Sequence, residues 1–537
     1  MTGSNIHSLE IVFLLLLLFV IVFGYLARKL NTPYPIILVI GGLLLSFVPG
    51  IPRVTLNPDV VFFVVFPPLL FSAAWLTSWR EFRYNLVSIL FLAFGLVTFT
   101  VFGVAASWRW LPGFDWRSAF LLGAVVAPTD TIAANAIAKQ MGLPKRVVDV
   151  LEGESLVNDA SGLLAVTFGI SMVVEGKTPT VAHGVLQLTY LIVVGIALGL
   201  LVGFIVDRIE RLIDDAPIET ILSILTPYVA YLAASSLNAS GVLAVLACGF
   251  YLSRRSSQFF SANVRLRVGA FWEAFTYTLN GLVFVLVGLQ LPYVLAGIPG
   301  IPWKTLVFYG LLFSFFLILL RLIWMWPGAM VSYFIRRNLL HQNENYPHWR
   351  AVFVVGWTGM RGVISLAAAV ALPVTLANGQ PFTQHNPIVF LTFSAILVTL
   401  VLQGLTLPPL IRALGLAGAP QSDTEEKEAR RAILRAALAH LQAVQKDDDA
   451  EFATVYEDIT HHYKGRLGAL AEPEDDNPQR RTRALHHSRY IDLSRELLRV
   501  ERSTALDLRS EGRISDELLH RIEHELDLGE SKLAPAD

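Results

Sequence analysis

The stretch Glu152-Gly153-Glu154-Ser155-Leu156-Val157-Asn158-Asp159 puts three carboxylates, a hydroxyl and an amide into eight residues of an otherwise apolar region. At 100° per residue Glu152, Ser155 and Asp159 share one helix face. Glu154 and Asn158 stack four apart on the adjoining stripe. An alkali cation is hard and prefers oxygen ligands, which this face offers. Three acids so close in low dielectric cannot all stay charged without a cation. The face is suited to hold a proton or a metal cation, in turn rather than together.

Two further stretches carry polar groups where apolar sequence surrounds them. Val125-Val126-Ala127-Pro128-Thr129-Asp130-Thr131-Ile132 sets an acid between two threonines just after a proline. Pro128 removes a backbone donor and clashes with the preceding turn, so a break here would free backbone carbonyls. Gly356-Trp357-Thr358-Gly359-Met360-Arg361-Gly362 places a lone arginine among three glycines, which predicts a second interrupted helix. A buried guanidinium needs an acid, and Glu154 is the expected partner of Arg361. Arg321 is also deep in an apolar run but has no evident partner. Glu273 is expected near a cytoplasmic end. Both are read as structural.

The elements that must position these groups are membrane helices. Of 537 residues, 54% are hydrophobic and 16% charged, against about 25% charged in ordinary soluble domains. A mainly soluble protein is excluded. A bilayer core takes about 20 apolar residues per helix. Thirteen such runs occur, near 8–27, 34–49, 58–77, 85–108, 118–138, 147–174, 184–207, 218–236, 240–252, 270–296, 303–334, 351–373 and 387–411. No basic residue precedes the first run, so it is read as a retained membrane helix rather than a cleaved signal. Cys248 is the single cysteine, which excludes an intrachain disulfide.

Loops after odd-numbered spans carry sixteen Lys and Arg, and loops after even-numbered spans five. By the positive-inside rule the N-terminus lies outside and the C-terminal tail is cytoplasmic. The division is a membrane body over 1–416 and a helical regulatory or interaction tail over 417–537. The net charge of −1 conceals this split. From residue 421 onward there are 18 basic and 26 acidic residues, a net of −8, and the preceding 420 residues hold 24 against 17, a net of +7. No dense basic patch exists to meet phosphates, so no nucleic-acid partner is expected. In the tail, 424–446 and 490–508 read as helices, and 472–478 as a linker. Seven of twelve histidines fall there. They titrate near neutral pH, though solvated helices packed on one another are the simpler expectation.

Taking the seventh span as a linker leaves spans 1–6 and 8–13 as two halves, inverted by an offset of seven. Both interrupted spans are then fifth in their half. Paired broken helices at matching positions mark a transporter's midplane site. An enzyme would want a nucleophile–base pair or metal motif, and neither HExxH nor GxSxG occurs in the body. A cation channel would want a continuous polar stripe or filter loop, and none is found.

These stretches resemble the monovalent cation:proton antiporter family, in its electroneutral sodium/proton exchanger branch of bacterial type. The match covers roughly residues 10–415. It rests on LEGESLVND (151–159), with its Asn158-Asp159 pair, supported by FPPLLFSAAW (66–75), APTDTIAA (127–134), FWEAFTYTLNGLVFVLVGLQLP (271–292), RLIWMWPGAM (321–330) and WTGMRGVISLAAAVALP (357–373). The resemblance implies an all-α polytopic fold of about thirteen transmembrane helices in two inverted six-helix repeats. Helices 5 and 12 would be broken, and the chain would form a homodimer in the bacterial inner membrane. It implies one-for-one exchange of a monovalent cation, sodium first and potassium or lithium as alternatives, for a proton by alternating access, with no cofactor. Asp159 would bind sodium or protons in turn, with Asp130, Ser155, Thr129 and Asn158 around it. Sodium would sit at Asp159, Ser155 and Thr129. Glu154 and Arg361 would form a structural ion pair. Some members carry proline directly after the acid of the fifth helix, where this chain has Thr131 after Asp130.

Overall fold

The computed structural model describes residues 3–49, 56–110, 114–174, 176, 181–342, 346–418, 422–447, 452–470, 478–511 and 513–533. Arg53, Lys177 and residues 472–477 of the expected linker lie outside these. The chain divides into two compact units, Met1–Pro420 and Gln421–Asp537.

The first unit is helical: α1 (Gly3–Lys29), α2 (Tyr34–Leu45), α3 (Phe66–Leu76), α4 (Trp79–Leu90), α5 (Val97–Trp108), α6 (Trp116–Val126), α7 (Ile132–Gln140), α8 (Lys145–Val174), α9 (Val181–Glu210), α10 (Ala216–Ser236), α11 (Gly241–Phe259), α12 (Ala262–Leu289), α13 (Leu291–Ala296), α14 (Trp303–Asn338), α15 (Trp349–Trp357), α16 (Val363–Val370), α17 (His385–Val398) and α18 (Gly404–Ala413). Among the described residues, eight continuous helical stretches are long and apolar enough to cross a membrane, and Tyr34–Leu45, Val60–Leu76 and Trp116–Val126 are shorter apolar helices. Every one of the thirteen apolar runs carries helix. The fold class is all-α, as the apolar periodicity requires, because a spanning segment must satisfy its backbone internally.

Caps start several of these helices. Asp115 accepts from the Ser118 amide at 2.9 Å, Asp215 from Ile218 at 3.1 Å and Ser240 from Leu243 at 3.3 Å. Each supplies an acceptor to an otherwise orphaned N–H. Small residues bring helices close. A Cβ on Gly199 of α9 would lie 2.1 Å from the Ala244 carbonyl of α11. Large apolar side chains remain exposed on the outer helices, such as Leu14, Leu186 and Phe315, as expected where lipid is the solvent.

Three π-helical turns were not anticipated: Val60–Val65, Phe91–Leu96 and Thr399–Gln403. Each loosens the backbone ladder inside a span. Side chains of other helices meet the carbonyls around one of them. Trp324 Nε1 donates to Phe91 O at 3.2 Å, and Ser161 Oγ donates to Ala93 O at 2.5 Å.

The second unit holds α19 (Ser422–Asp447), α20 (Ala453–Ala469), α21 (Pro478–Ser510) and α22 (Asp516–Leu533). Consecutive helices pack on one another, with Leu434, Leu438, Ala505, Leu519 and Leu526 buried. Arg502 of α21 spans to Asp527 at 2.6 Å and Glu530 at 3.0 Å on α22.

Candidate functional site

The helix predicted to break at Pro128 does so. α6 ends at Val126 and α7 begins at Ile132. Between them, carbonyls freed in a dry interior find side-chain donors. Arg361 Nη1 donates to Ala127 O at 2.6 Å and to Pro128 O at 3.3 Å. Thr129 O accepts from Asn158 Nδ2 at 3.3 Å and Ser155 Oγ at 3.4 Å. Asp130 turns a carboxylate oxygen onto the Ile132 amide at 2.9 Å and so holds the first turn of α7. The Pro128 ring lies on Gly162 of α8, where a Cβ would come within 2.2 Å of it.

The second expected break is also present. α15 ends at Trp357 and α16 begins at Val363. The two unwound segments touch through their backbones, with Asp130 N donating to Met360 O at 2.9 Å. Gly362 makes the approach possible, because a Cβ there would sit 2.4 Å from Asp130 Cβ. Thr399 Oγ1, at the π-turn, accepts from Arg361 N at 3.0 Å.

One expected contact is replaced. Glu154 pairs with Arg321, not Arg361. Arg321 Nη1 meets Glu154 Oε1 at 2.5 Å and Nη2 meets Oε2 at 2.9 Å, a two-pronged bond between groups 1% and 0% exposed. Arg321 also donates to Val355 O at 3.0 Å and Gly356 O at 3.1 Å, the carbonyls before the second break. Its stem passes Gly359, where a Cβ would lie 2.2 Å from Arg321 Cδ. Each arginine thus serves the loose carbonyls of one broken helix, and the single acid goes to the one whose fork faces it squarely. The signal was available: α14 carries one basic residue deep in an apolar run, and such a charge needs a partner.

The remaining residues divide by position. Thr129 Oγ1 donates to Glu154 Oε1 at 3.0 Å and accepts from Asn158 Nδ2 at 2.5 Å, so its hydroxyl braces the break. Glu152 pairs with Lys139 at 2.8 Å, away from the other acids. Glu273 is exposed. Asp159 is 7% exposed and makes no hydrogen bond or ion pair to the described residues. With Asp130 and Ser155 it lines a cavity of about 110 Å³, whose other walls come from the π-helical turn Val60–Val65, α3, α7, α12 and α16. Asn280 of α12 also lines it and was not singled out from the sequence.

A small cavity with two carboxylates lies beside two broken helices that touch through their backbones. The sodium/hydrogen exchanger transmembrane family profile matches residues 14–413. The chain belongs to the sodium/hydrogen exchanger family. Exchangers of this family are transporters, not enzymes. An uncharacterized Na(+)/H(+) exchanger of Mycobacterium tuberculosis is 33% identical over 530 residues, covering 96% of this chain and 95% of that protein. A sodium, potassium, lithium and rubidium/H(+) antiporter of Bacillus pumilus is 34% identical, covering 78% of this chain and 64% of its own length. The solved sodium proton antiporter MjNhaP1 of Methanocaldococcus jannaschii shares the fold, with TM-score 0.56 and 18% identity over 76% of this chain and 100% of its own.

Proposed function

We propose that this exchanger moves a monovalent cation, sodium first, against a proton across the membrane, one for one, by alternating access. Asp159 is the group that takes cation or proton in turn, with Asp130 and Ser155 at its side. Thr129, Asn158, Glu154, Arg321 and Arg361 hold the unwound backbone that shapes the site. The observation that carries the reading is the Asp159 carboxylate, buried yet without a hydrogen bond or ion pair among the described residues, and lining a cavity with Asp130.

The physical logic is charge. A site that has lost both cation and proton carries uncompensated carboxylate into low dielectric, which is expensive. The loaded forms cross; the empty form does not. That penalty couples the two fluxes. The two inverted halves expected from the span count would supply the rocking motion. The sixteen-to-five bias of loop charges supports an outside N-terminus and a cytoplasmic tail in a bacterial inner membrane.

The test is exchange in proteoliposomes. Cation-driven proton movement in the wild type, lost in Asp159→Asn with insertion intact, supports the reading. Retained exchange in that variant sinks it. Proton flow without an opposing cation gradient would make the protein a channel instead. A rate that responds to a clamped membrane potential would refute one-for-one stoichiometry.

A further inference from the structure

The cavity has one polar side chain that comes from neither the acid-bearing helix α8 nor the break at 127–131. Asn280 of α12 lines it alongside Asp130, Ser155 and Asp159; the remaining lining is apolar. The Tyr34 hydroxyl, at the start of α2, lies near the Asn280 side chain and near Asp130. Tyr277, one turn before Asn280, packs its ring on that of Tyr34 with centroids 5.0 Å apart.

This support is rigid. α2 and α12 meet backbone to backbone: a Cβ on Gly42 would lie 2.4 Å from Val285 O, and one on Gly288 2.4 Å from Val39 O. Such contact fixes the position of one helix against the other. An amide has two donors and one carbonyl acceptor. An NH₂ turned to the Tyr34 hydroxyl leaves Oδ1 for the cavity that Asn280 lines.

We propose that Asn280 is a specificity-determining ligand of the transported cation, supplying a neutral oxygen to a site otherwise built from carboxylates and a hydroxyl, with Tyr34 as its positioning residue. This rests on the exchange reading above. A hard cation accepts an amide oxygen as a ligand, whereas an amide takes no proton near neutral pH. Asn280 therefore favours the cation over its competitor, the proton. Fixed from a second helix, it also sets the width that distinguishes lithium, sodium and potassium.

The experiment measures proteoliposome exchange across Li+, Na+ and K+ for wild type, Asn280→Ala, Asn280→Ser and Tyr34→Phe. Sodium-dependent thermal stabilisation is followed in detergent alongside. Expected for Asn280→Ala is a rise of about tenfold in the sodium KM, a changed order or spacing of KM among the three cations, and kcat within about twofold. The sodium concentration needed for stabilisation rises in parallel. Asn280→Ser and Tyr34→Phe shift the same ratios less. Unchanged KM ratios in folded Asn280→Ala and Asn280→Ser overturn the inference, as does a loss of kcat alone. Absence of both exchange and sodium stabilisation in the wild type would instead overturn the exchange reading itself.

Discussion

Two arginine–carboxylate pairs, one in each unit, differ little in length and greatly in setting. Arg321 meets Glu154 at 2.5 Å with both side chains at or below 1% exposure. Arg509 meets Asp516 at 2.7 Å with side chains 53% and 69% exposed. Contact distance ranks them as near equals, yet burial separates them. In the body neither partner can turn to water when the other is lost. In the tail water and salt replace either partner at once. The buried pair also carries neighbours: Arg321 serves two carbonyls of one break, and Glu154 accepts from the Thr129 of the other.

Several measurements bear on this contrast. Glu154→Ala should have the largest effect, a loss of about 3–5 kcal/mol because it strands a buried guanidinium. Melting in detergent checks it, and Glu154→Leu with Arg321→Met should recover much of the loss. An unchanged melting temperature in Glu154→Ala would abolish the distinction between the pairs. Arg361→Ala should come next. It leaves Ala127 O and Pro128 O without their donor, at about 1–3 kcal/mol per unsatisfied group, and exchange should fall with stability. Arg361→Lys should rescue in part, since both carbonyls are met by the one nitrogen Nη1, which an ammonium can replace only if its stem reaches as far.

Arg502→Ala in the tail should leave the melting of the protein unaltered despite breaking two contacts, to Asp527 and Glu530. A drop comparable to that of Arg361→Ala would contradict the burial argument. The smallest effect concerns pH. The Arg509 guanidinium, by hydrogen bond and charge, holds the Asp516 carboxyl below the usual carboxylate range. A depressed acid contributes stability above its unfolded pKa, about 3.9, and loses it as pH falls through the lower folded value. In acid titration of tail circular dichroism, whatever small gap separates Arg509→Ala from wild type at neutral pH should close as pH falls below about 4. Divergence that grows on acidification would reverse the assigned sign.

Much of the site was legible in residue order. Pro128 and the glycines around Arg361 announced both breaks, since a missing donor and a missing Cβ are local properties. The helical spacing of Glu154, Ser155, Asn158 and Asp159 placed them on neighbouring stripes of α8 without any tertiary information. The partner of Glu154 was not legible. Two intramembrane arginines and one free acid leave the choice to side-chain direction, which depends on how α14 passes Gly359. That the hydroxyl of Thr129 also bonds Glu154 and Asn158 was not legible either. Asn280 sat unmarked in an apolar helix, because an amide facing a cavity and one facing lipid look alike in sequence.

The sequence by itself determined that the chain is a helical membrane protein with a polar tail. It also determined that a few intramembrane acids gather on one helix and at the break after Pro128, because hydropathy, proline and charge act within a few residues of where they stand. Only the tertiary structure decided which arginine neutralises Glu154, that Asp159 lines a cavity with no partner among the described residues, and that α12 brings an amide to it. Those outcomes depend on distances between helices far apart in the chain, set by whether a glycine allows two backbones, or a backbone and a side chain, to touch.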